Sequence, residues 1–384
     1  MAKIKILQII TRMDWGGSPD YIKKIFRSLD PEVFEMYLVY GKTENPGQDT
    51  KEFLETFKTK LIFLPSLKRE VSIFTDLTAF FKLYMLCRKY RPDLVGTHTT
   101  KAGVLGRLAA ICAGVEVIVH SPHGNIFYGY FNKIISKGIL ILEKWLAVFT
   151  RKLIVFTKSE KDVLLNLGLT GADKIEVMRP GVSSLSQSDH DLLAQRRAVL
   201  GIKPQLLIVG MVSRLEPVKG ADFFVLAALE ILKIRRDVCF LLVGEGSLRR
   251  KLELEIASDD RKNQIIITGW RDDALFLIEL MDVLVQPSLN EAIGMVLLEA
   301  QSLGVPVVAT KVGGIPDIVL DGVTGILVPP RNTPALVKAI TDLLDHKTKR
   351  QEFSEKGKQW VRDNFSLERM MDPLSAFYKT QVLK

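Results

Sequence analysis

Cysteine is scarce in this chain of 384 residues: Cys87, Cys112 and Cys239 are all it has. An odd number at such wide spacing gives neither a disulfide framework nor a zinc knuckle, and it fits a reduced, cytosolic compartment. Long uncharged apolar runs are missing too. No stretch approaches the roughly 18 residues that suggest a membrane span. The most tempting one, residues 138–149, is interrupted by Glu143 and Lys144. The N-terminus has Lys3 and Lys5 inside its apolar stretch and no small-residue cleavage site, so it does not read as a secretory signal. There is no G-x-G-x-x-G and no Walker lysine, which removes support from dinucleotide-binding and P-loop readings. No group of His, Cys or Asp has metal-ligand spacing.

What is present is ordinary globular composition, 47% hydrophobic and 25% charged, which excludes a disordered or fibrous chain. The length suits two to three domains. The net charge of +9 is one-sided. Residues 1–183 hold 27 basic and 18 acidic residues, and the remainder holds 26 of each. A one-sided excess points to an anionic partner for the first half, such as a membrane surface, a phosphorylated lipid or nucleic acid; solubility charge is the plain alternative.

Short apolar runs without alternation recur, separated by helical patterns. In the first half they fall at residues 3–10, 34–40, 61–64, 93–96, 115–120, 153–157 and 174–177. Such runs signal parallel strands buried on both faces, hence a doubly wound α/β domain. Residues 183–203 read differently: a Ser-rich start, a short charged helix, then Gly201 and Pro204, a linker. The βα pattern restarts at 205–212 and repeats through 238–243, 264–268, 283–286, 306–309 and 325–328. Helices follow from about residue 334 to 365 and from 367 onward. The organisation expected is a first Rossmann-like domain over 1–183, a linker over 184–204 and a second domain over 205–365. A final helix, 366–384, packs back on the first domain. Ligands of such sheets bind outside the strands' carboxyl ends, in a cleft between two facing domains.

The loops after the strands carry the polar residues. Gly16-Gly17 follows the first strand and lets backbone N–H groups approach a phosphate, although a plain β–α turn uses such a pair equally well. His123 follows the fifth strand, between Pro122 and Gly124, where it can hydrogen-bond a sugar hydroxyl or a leaving oxygen. His98 and His120 read as packing residues. Arg214 and Lys219 lie before a helix, and two cations with that helix's dipole suit a diphosphate; solvated loop charges are the alternative. Glu291 follows a strand, and Glu299 stands eight residues on in an otherwise apolar helix. A bare buried carboxylate is costly, and a bound polyol would offset that cost; a capping or internally paired glutamate is the alternative.

Taken in order, these strings resemble a known family. Ser213-Arg214-Leu215-Glu216-Pro217-Val218-Lys219-Gly220, Val243-Gly244-Glu245-Gly246 and Thr268-Gly269-Trp270 are followed by Glu291-x7-Glu299. Val312-Gly313-Gly314-Ile315-Pro316-Asp317 and Asp321-Gly322-Val323-Thr324-Gly325 complete the second half. Gly16-Gly17, the string Thr97–Arg107 and His123-Gly124 complete the first. The set resembles retaining glycosyltransferases of family 4, with the GT-B fold, and the string Thr97–Arg107 resembles bacterial members that build surface polysaccharides. Ser18-Pro19-Asp20 and Ala292 depart from the family's usual residues.

The resemblance implies transfer of a hexosyl unit from a nucleotide sugar, UDP-linked, with retention and with neither cofactor nor metal. Arg214 and Lys219 would hold the diphosphate, and Glu291 the donor sugar beside the backbone N–H groups of Ile293, Gly294 and Met295. Glu299 would bind the ribose, Gly269 and Trp270 would border the base, and Gly16 and Gly17 would approach the phosphates. His123 would touch the transferred sugar. Asp189-His190-Asp191 matches the D-x-D metal motif of a different glycosyltransferase fold, but it lies in the linker. The acceptor expected is a polyprenyl-diphosphate-linked or other anionic sugar at the cytoplasmic membrane face, with no nucleic-acid partner. Residues 127–137 and the apolar positions Ile135, Ile139, Leu142, Trp145, Leu146 and Phe149, interleaved with lysines, would lie in the headgroup layer; a helix's ordinary core face is the plain alternative. A GT-B-fold epimerase or hydrolase and a non-catalytic nucleotide-sugar-binding subunit are the rival readings.

Overall fold

The computed structural model describes residues 2–124, 133–183 and 189–383. They form two units, one of residues 1–181 with 367–384 and one of residues 182–366. The first runs β1 (Ile4–Ile10), α1 (Gly17–Ser28), β2 (Phe34–Tyr40), α2 (Gln48–Thr56), β3 (Leu61–Phe63), α3 (Ile73–Tyr90), β4 (Leu94–His98), α4 (Thr100–Ala113), β5 (Val117–Ser121), α5 (Lys133–Phe149), β6 (Lys152–Val155), α6 (Lys158–Asn166) and β7 (Ile175–Val177). Among the described residues its strands make one sheet in the order β3-β2-β1-β4-β5-β6-β7, all parallel. Strand β1 is central and every residue but Lys5 is buried, which is why it reads as a continuous apolar run.

On one face of this sheet Leu7, Ile9, Val95 and Ile118 pack against Ala79 and Leu83 of α3 and Ala102 and Ala109 of α4. Leu153 and Val155 continue the same face under Leu140 of α5. Helix α4 lies unusually close: a Cβ on Gly103 would meet the His120 ring at 2.4 Å. The string Thr97–Arg107 is therefore in large part a packing motif. Its Arg107, fully buried, donates from Nη2 to both carboxylate oxygens of Glu143 of α5 at 2.6 and 2.7 Å. Breaking a buried pair of this kind costs about 3–5 kcal/mol.

Of the apolar stripe read in residues 135–149, Ile135, Leu142, Trp145 and Phe149 are exposed, and only Leu146 turns fully into the core. Ile139 is half-buried, and Ile141 and Val148 are exposed as well. Helix α3 has its own exposed apolar residues, Phe74, Leu77, Phe81 and Met85. Residues 127–132 of the proposed headgroup segment lie outside the described residues.

The second unit runs α7 (His190–Val199), β8 (Leu207–Val212), α8 (Ala221–Ile234), β9 (Val238–Val243), α9 (Arg249–Ala257), β10 (Ile265–Gly269), α10 (Ala274–Glu279), β11 (Val283–Gln286), α11 (Met295–Leu303), β12 (Val307–Thr310), β13 (Gly325–Val328), α12 (Thr333–Asp345) and α13 (Lys347–Phe365). Its parallel sheet has the order β10-β9-β8-β11-β12-β13. The stretch read as a linker carries α7, and Asp189 caps that helix rather than facing a metal. Arg196 of α7 pairs with Asp273 and stacks 4.5 Å over Phe276 of α10, which fixes α7 to the second unit. Last comes α14 (Leu367–Val382), which belongs to the first unit. Its Tyr378 packs against Phe34, on the sheet face opposite α3 and α4, and reaches Gln8.

Candidate active site

In the second unit the strand order reverses between β8 and β11, and that is where ligands of open α/β sheets bind. Lys219 stands in the turn after β8 and Glu291 in the loop after β11. The structure joins them in an ion pair of 2.5 Å with both side chains largely buried. Glu291 Oε2 also accepts from Ser288 Oγ at 3.3 Å, and that hydroxyl accepts from Gln286 Nε2 at 2.7 Å. Thr310 at the end of β12 donates to the Ser288 carbonyl at 2.5 Å. A buried polar ladder thus stands behind the carboxylate. The Glu291 backbone is held as tightly: Gly314 N–H donates to its carbonyl at 3.1 Å, and Gly313, at φ +51°, lies so close that a Cβ would meet that carbonyl at 1.8 Å.

Arg214 is exposed, with no ion pair to it among the described residues. Lys219 gives one proton to Glu291 and keeps two for a ligand. Gly294 caps α11 at φ +78° with no side-chain hydrogen bond to the helix start, and Met295 is the first helical residue. Ile293 is buried beside them. Glu299 lies about one turn along α11, half-buried. Gly269 ends β10 and its carbonyl accepts from Gly244 N–H at 2.8 Å, which ties the ends of β9 and β10 together; Trp270 follows, partly exposed. All of these residues stand at the carboxyl ends of the strands or at the start of the helices that follow.

The first unit has its own reversal, between β1 and β4. Gly16 and Gly17 are exposed at the start of α1. Thr11 and Thr99, from the loops after β1 and β4, bond through their hydroxyls at 3.1 Å. His123 is half-buried, and its backbone is left-handed at φ +57°. That conformation is uncommon outside glycine, and such strain gathers at functional sites. Its ring lies against Tyr21 at 5.5 Å and Phe156 at 5.1 Å. Burial, with His98 adding to it, holds the His123 imidazole well below the ordinary histidine range.

His98 and His120, read as packing or scaffold residues, are both buried. His120 lies with its Nδ1 at 2.9 Å from Thr97 Oγ1. His98 is a scaffold for His123, hydrogen-bonding it directly at 2.8 Å. Sequence reasoning missed Gln8, Gln286, Ser288 and Thr310. The signal was available for Gln8, Gln286 and Thr310: each is a polar residue inside or ending an apolar strand, where burial demands a partner. Among the described residues no group of His, Cys, Asp or Glu could hold a metal ion.

Comparison with known proteins covers both units. Residues 15–184 match the model described as Glycosyltransferase Family 4, and residues 194–360 match Glycosyl transferases group 1. An Escherichia coli UDP-Gal:alpha-D-GlcNAc-diphosphoundecaprenol alpha-1,3-galactosyltransferase is 28% identical over 100% of this chain and 98% of its own length. The Staphylococcus aureus capsular polysaccharide biosynthesis glycosyltransferase CapM is 25% identical over 87% of this chain and 88% of its own. The Anabaena protein HepE, solved with UDP and glucose, superposes with a TM-score of 0.85 at 22% identity, covering 98% of this chain and 100% of that one. The chain belongs to the family 4, group 1 glycosyltransferases and has their GT-B fold.

Proposed function

We propose that this glycosyltransferase moves a hexosyl unit, with retention and without a metal, from a UDP-linked sugar to a polyprenyl-diphosphate-linked sugar in bacterial surface-glycan assembly. The observation that carries this reading is the Lys219–Glu291 pair at the β8/β11 reversal, with the exposed Arg214 in the same turn. Arg214 and the free protons of Lys219 take the diphosphate, as do the backbone N–H groups at Ile293, Gly294 and Met295. Glu291 accepts from donor-sugar hydroxyls, Glu299 from the ribose, and Gly269 and Trp270 border the base. In the first unit Gly16 and Gly17 approach the phosphates and His123 contacts the transferred sugar.

The acceptor hydroxyl attacks C1, the C1–O bond to the leaving phosphate breaks, and the hydroxyl proton passes to a phosphate oxygen on the same face. Negative charge grows on the leaving group, so fixed cations and amides there supply the largest stabilising term. Support for the donor and acceptor comes from the Escherichia coli relative's name and from the UDP in the HepE structure.

The working place proposed is the cytoplasmic membrane face, held peripherally. Among the described residues no helix is long and apolar enough to cross a membrane. Support comes from the basic excess of residues 1–183 and from the exposed apolar residues of α3 and α5, which lie on one sheet face. Lys82, Arg88, Lys137 and Lys144 are exposed among them. Each basic residue near an anionic leaflet adds about 1 kcal/mol.

A panel of nucleotide sugars tested for protection against thermal unfolding identifies the donor, since ligand at a hundred times its Kd adds about 2.7 kcal/mol. The selected donor is then incubated with a polyprenyl-diphosphate-linked sugar and the product's anomeric configuration read by NMR. Transfer with retention supports the proposal. Release of free or epimerised sugar without acceptor transfer overturns it.

A further inference from the structure

We infer that Gln8, His98 and Tyr378 form a buried relay that holds His123 in a single tautomer, with hydrogen on Nε2 and the Nδ1 lone pair left to the ligand. The contact with sugar rests on the proposed transfer reaction; the tautomer does not.

The relay begins in the middle of β1. Gln8 is fully buried in a strand otherwise lined by isoleucine and leucine, so its amide must find partners inside the protein. His98 ends β4, and His98 and Tyr378 are both almost completely buried. Gln8 Nε2 donates to the Tyr378 hydroxyl at 3.2 Å, and Gln8 Oε1 lies 2.8 Å from His98 Nε2. His98 Nδ1 lies 2.8 Å from His123 Nε2. Gly96 makes room for the amide, because a Cβ there would meet Gln8 Oε1 at 2.0 Å.

The proton positions follow link by link. An amide oxygen only accepts, so His98 Nε2 carries the hydrogen. Burial keeps His98 neutral, pushed down to about 3, so its Nδ1 has a lone pair and can only accept. The hydrogen in the second link therefore sits on His123 Nε2. His123 is held neutral as well, so its Nδ1 is the acceptor. With Nε2 engaged by His98, Nδ1 is the ring nitrogen that remains for a substrate hydroxyl. Ring orientation is set by Tyr21 and Phe156. The loops at both ends of the histidine pair are strained in the same sense, Thr99 at φ +66° and His123 at φ +57°. Gln8, His98 and Tyr378 are thus positioning residues acting through His123, and Tyr378 brings α14 into the relay.

The Tyr378 hydroxyl both donates and accepts, so it would also accommodate a reversed Gln8 amide. Reversal would put hydrogen on His98 Nδ1, leave His123 Nε2 as acceptor and make His123 Nδ1 a donor. Side-chain ¹⁵N shifts of ¹⁵N-histidine-labelled full-length protein separate the two arrangements, with the His123 signals assigned by their loss in His123→Gln.

The inference expects protonated Nε2 and imine-type Nδ1 for both His98 and His123, unchanged between pH 5.5 and 8. In Gln8→Met the relay loses its acceptor, His123 becomes a tautomer mixture, and kcat falls about tenfold, one hydrogen bond's worth, at unchanged donor KM. Tyr378→Phe, a smaller change that keeps the ring, is the second variant and should mix the tautomers as well. A His123 with hydrogen on Nδ1 in the wild type overturns the inference, and so does a tautomer unmoved in both folded variants. Expected shifts in a protein that transfers no sugar would leave the relay standing and remove the transfer reading instead.

Discussion

Acidification should destabilise the first unit steeply, and the slope can be worked from two histidines. His98 and His120 are buried and uncharged in the folded chain: desolvation holds His98 at about 3 and His120 well below the ordinary histidine range, with Arg107 and His98 pushing His120 further down. In the unfolded chain both take up a proton near pH 6.5. Below that pH the unfolded state binds more protons, so stability is fully present above pH 6.5 and is lost as pH falls toward the folded values. Each such proton is worth about 1.4 kcal/mol per pH unit, hence about 3 kcal/mol per unit for the pair well below pH 6.5, and His123, held low in the same sense, adds to that slope. Against a total of about 5–15 kcal/mol, that loss would dominate within two units. Asp49, Asp237, Asp259 and Asp342 are held low by neighbouring cations, and their contribution is lost at still lower pH. Asp282 is raised by burial and acts in the opposite sense. These carboxylates are common to wild type and variants and cancel in the difference. The assay is urea unfolding at pH 7.0, 5.5 and 4.5, with amide exchange in β4 and β5 reporting the first unit. His98→Gln and His120→Gln should each make the slope shallower by one proton. Parallel curves for wild type and both variants would refute the reasoning.

Three further outcomes are expected. Gly313→Ala should lower the melting temperature and depress turnover, because its Cβ would collide with the Glu291 carbonyl; Gly322→Ala, also at positive φ but in open space, is the control and should lose stability only. Turnover should survive EDTA, since protein cations already face the diphosphate; complete loss restored by Mn²⁺ or Mg²⁺ would count against the mechanism. The protein should float with anionic liposomes at low salt and less at high salt, and replacing Phe74, Phe81, Trp145 and Phe149 with serine should weaken this; indifference to anionic vesicles at low salt would remove the membrane reading.

The strands were legible because parallel strands buried on both faces leave a direct trace, as in β1, β9 and β11. Helix α4 was not, because its face on the sheet is built from Ala102, Gly103, Gly106, Ala109 and Ala110, small residues chosen for close approach rather than amphipathic contrast. The core face of α5 was not legible because it carries a charged residue, Glu143, which is buried by its pairing with Arg107 of α4. At the site the sequence named the charged groups, Lys219 and Glu291, but not what holds them. Neutral partners such as Gln8, Ser288 and Thr310 acquire meaning only when the sheet places them beside a ring or a carboxylate.

The central claim is that Arg214 and Lys219 stabilise charge on a departing diphosphate. Its most direct test is kcat of Arg214→Ala and Lys219→Ala, with folding checked by circular dichroism and the donor fixed by the unfolding screen. Losing one such contact typically costs about 10²–10³ in rate, and both variants should fall in that range while remaining folded. Wild-type turnover in both would contradict the account.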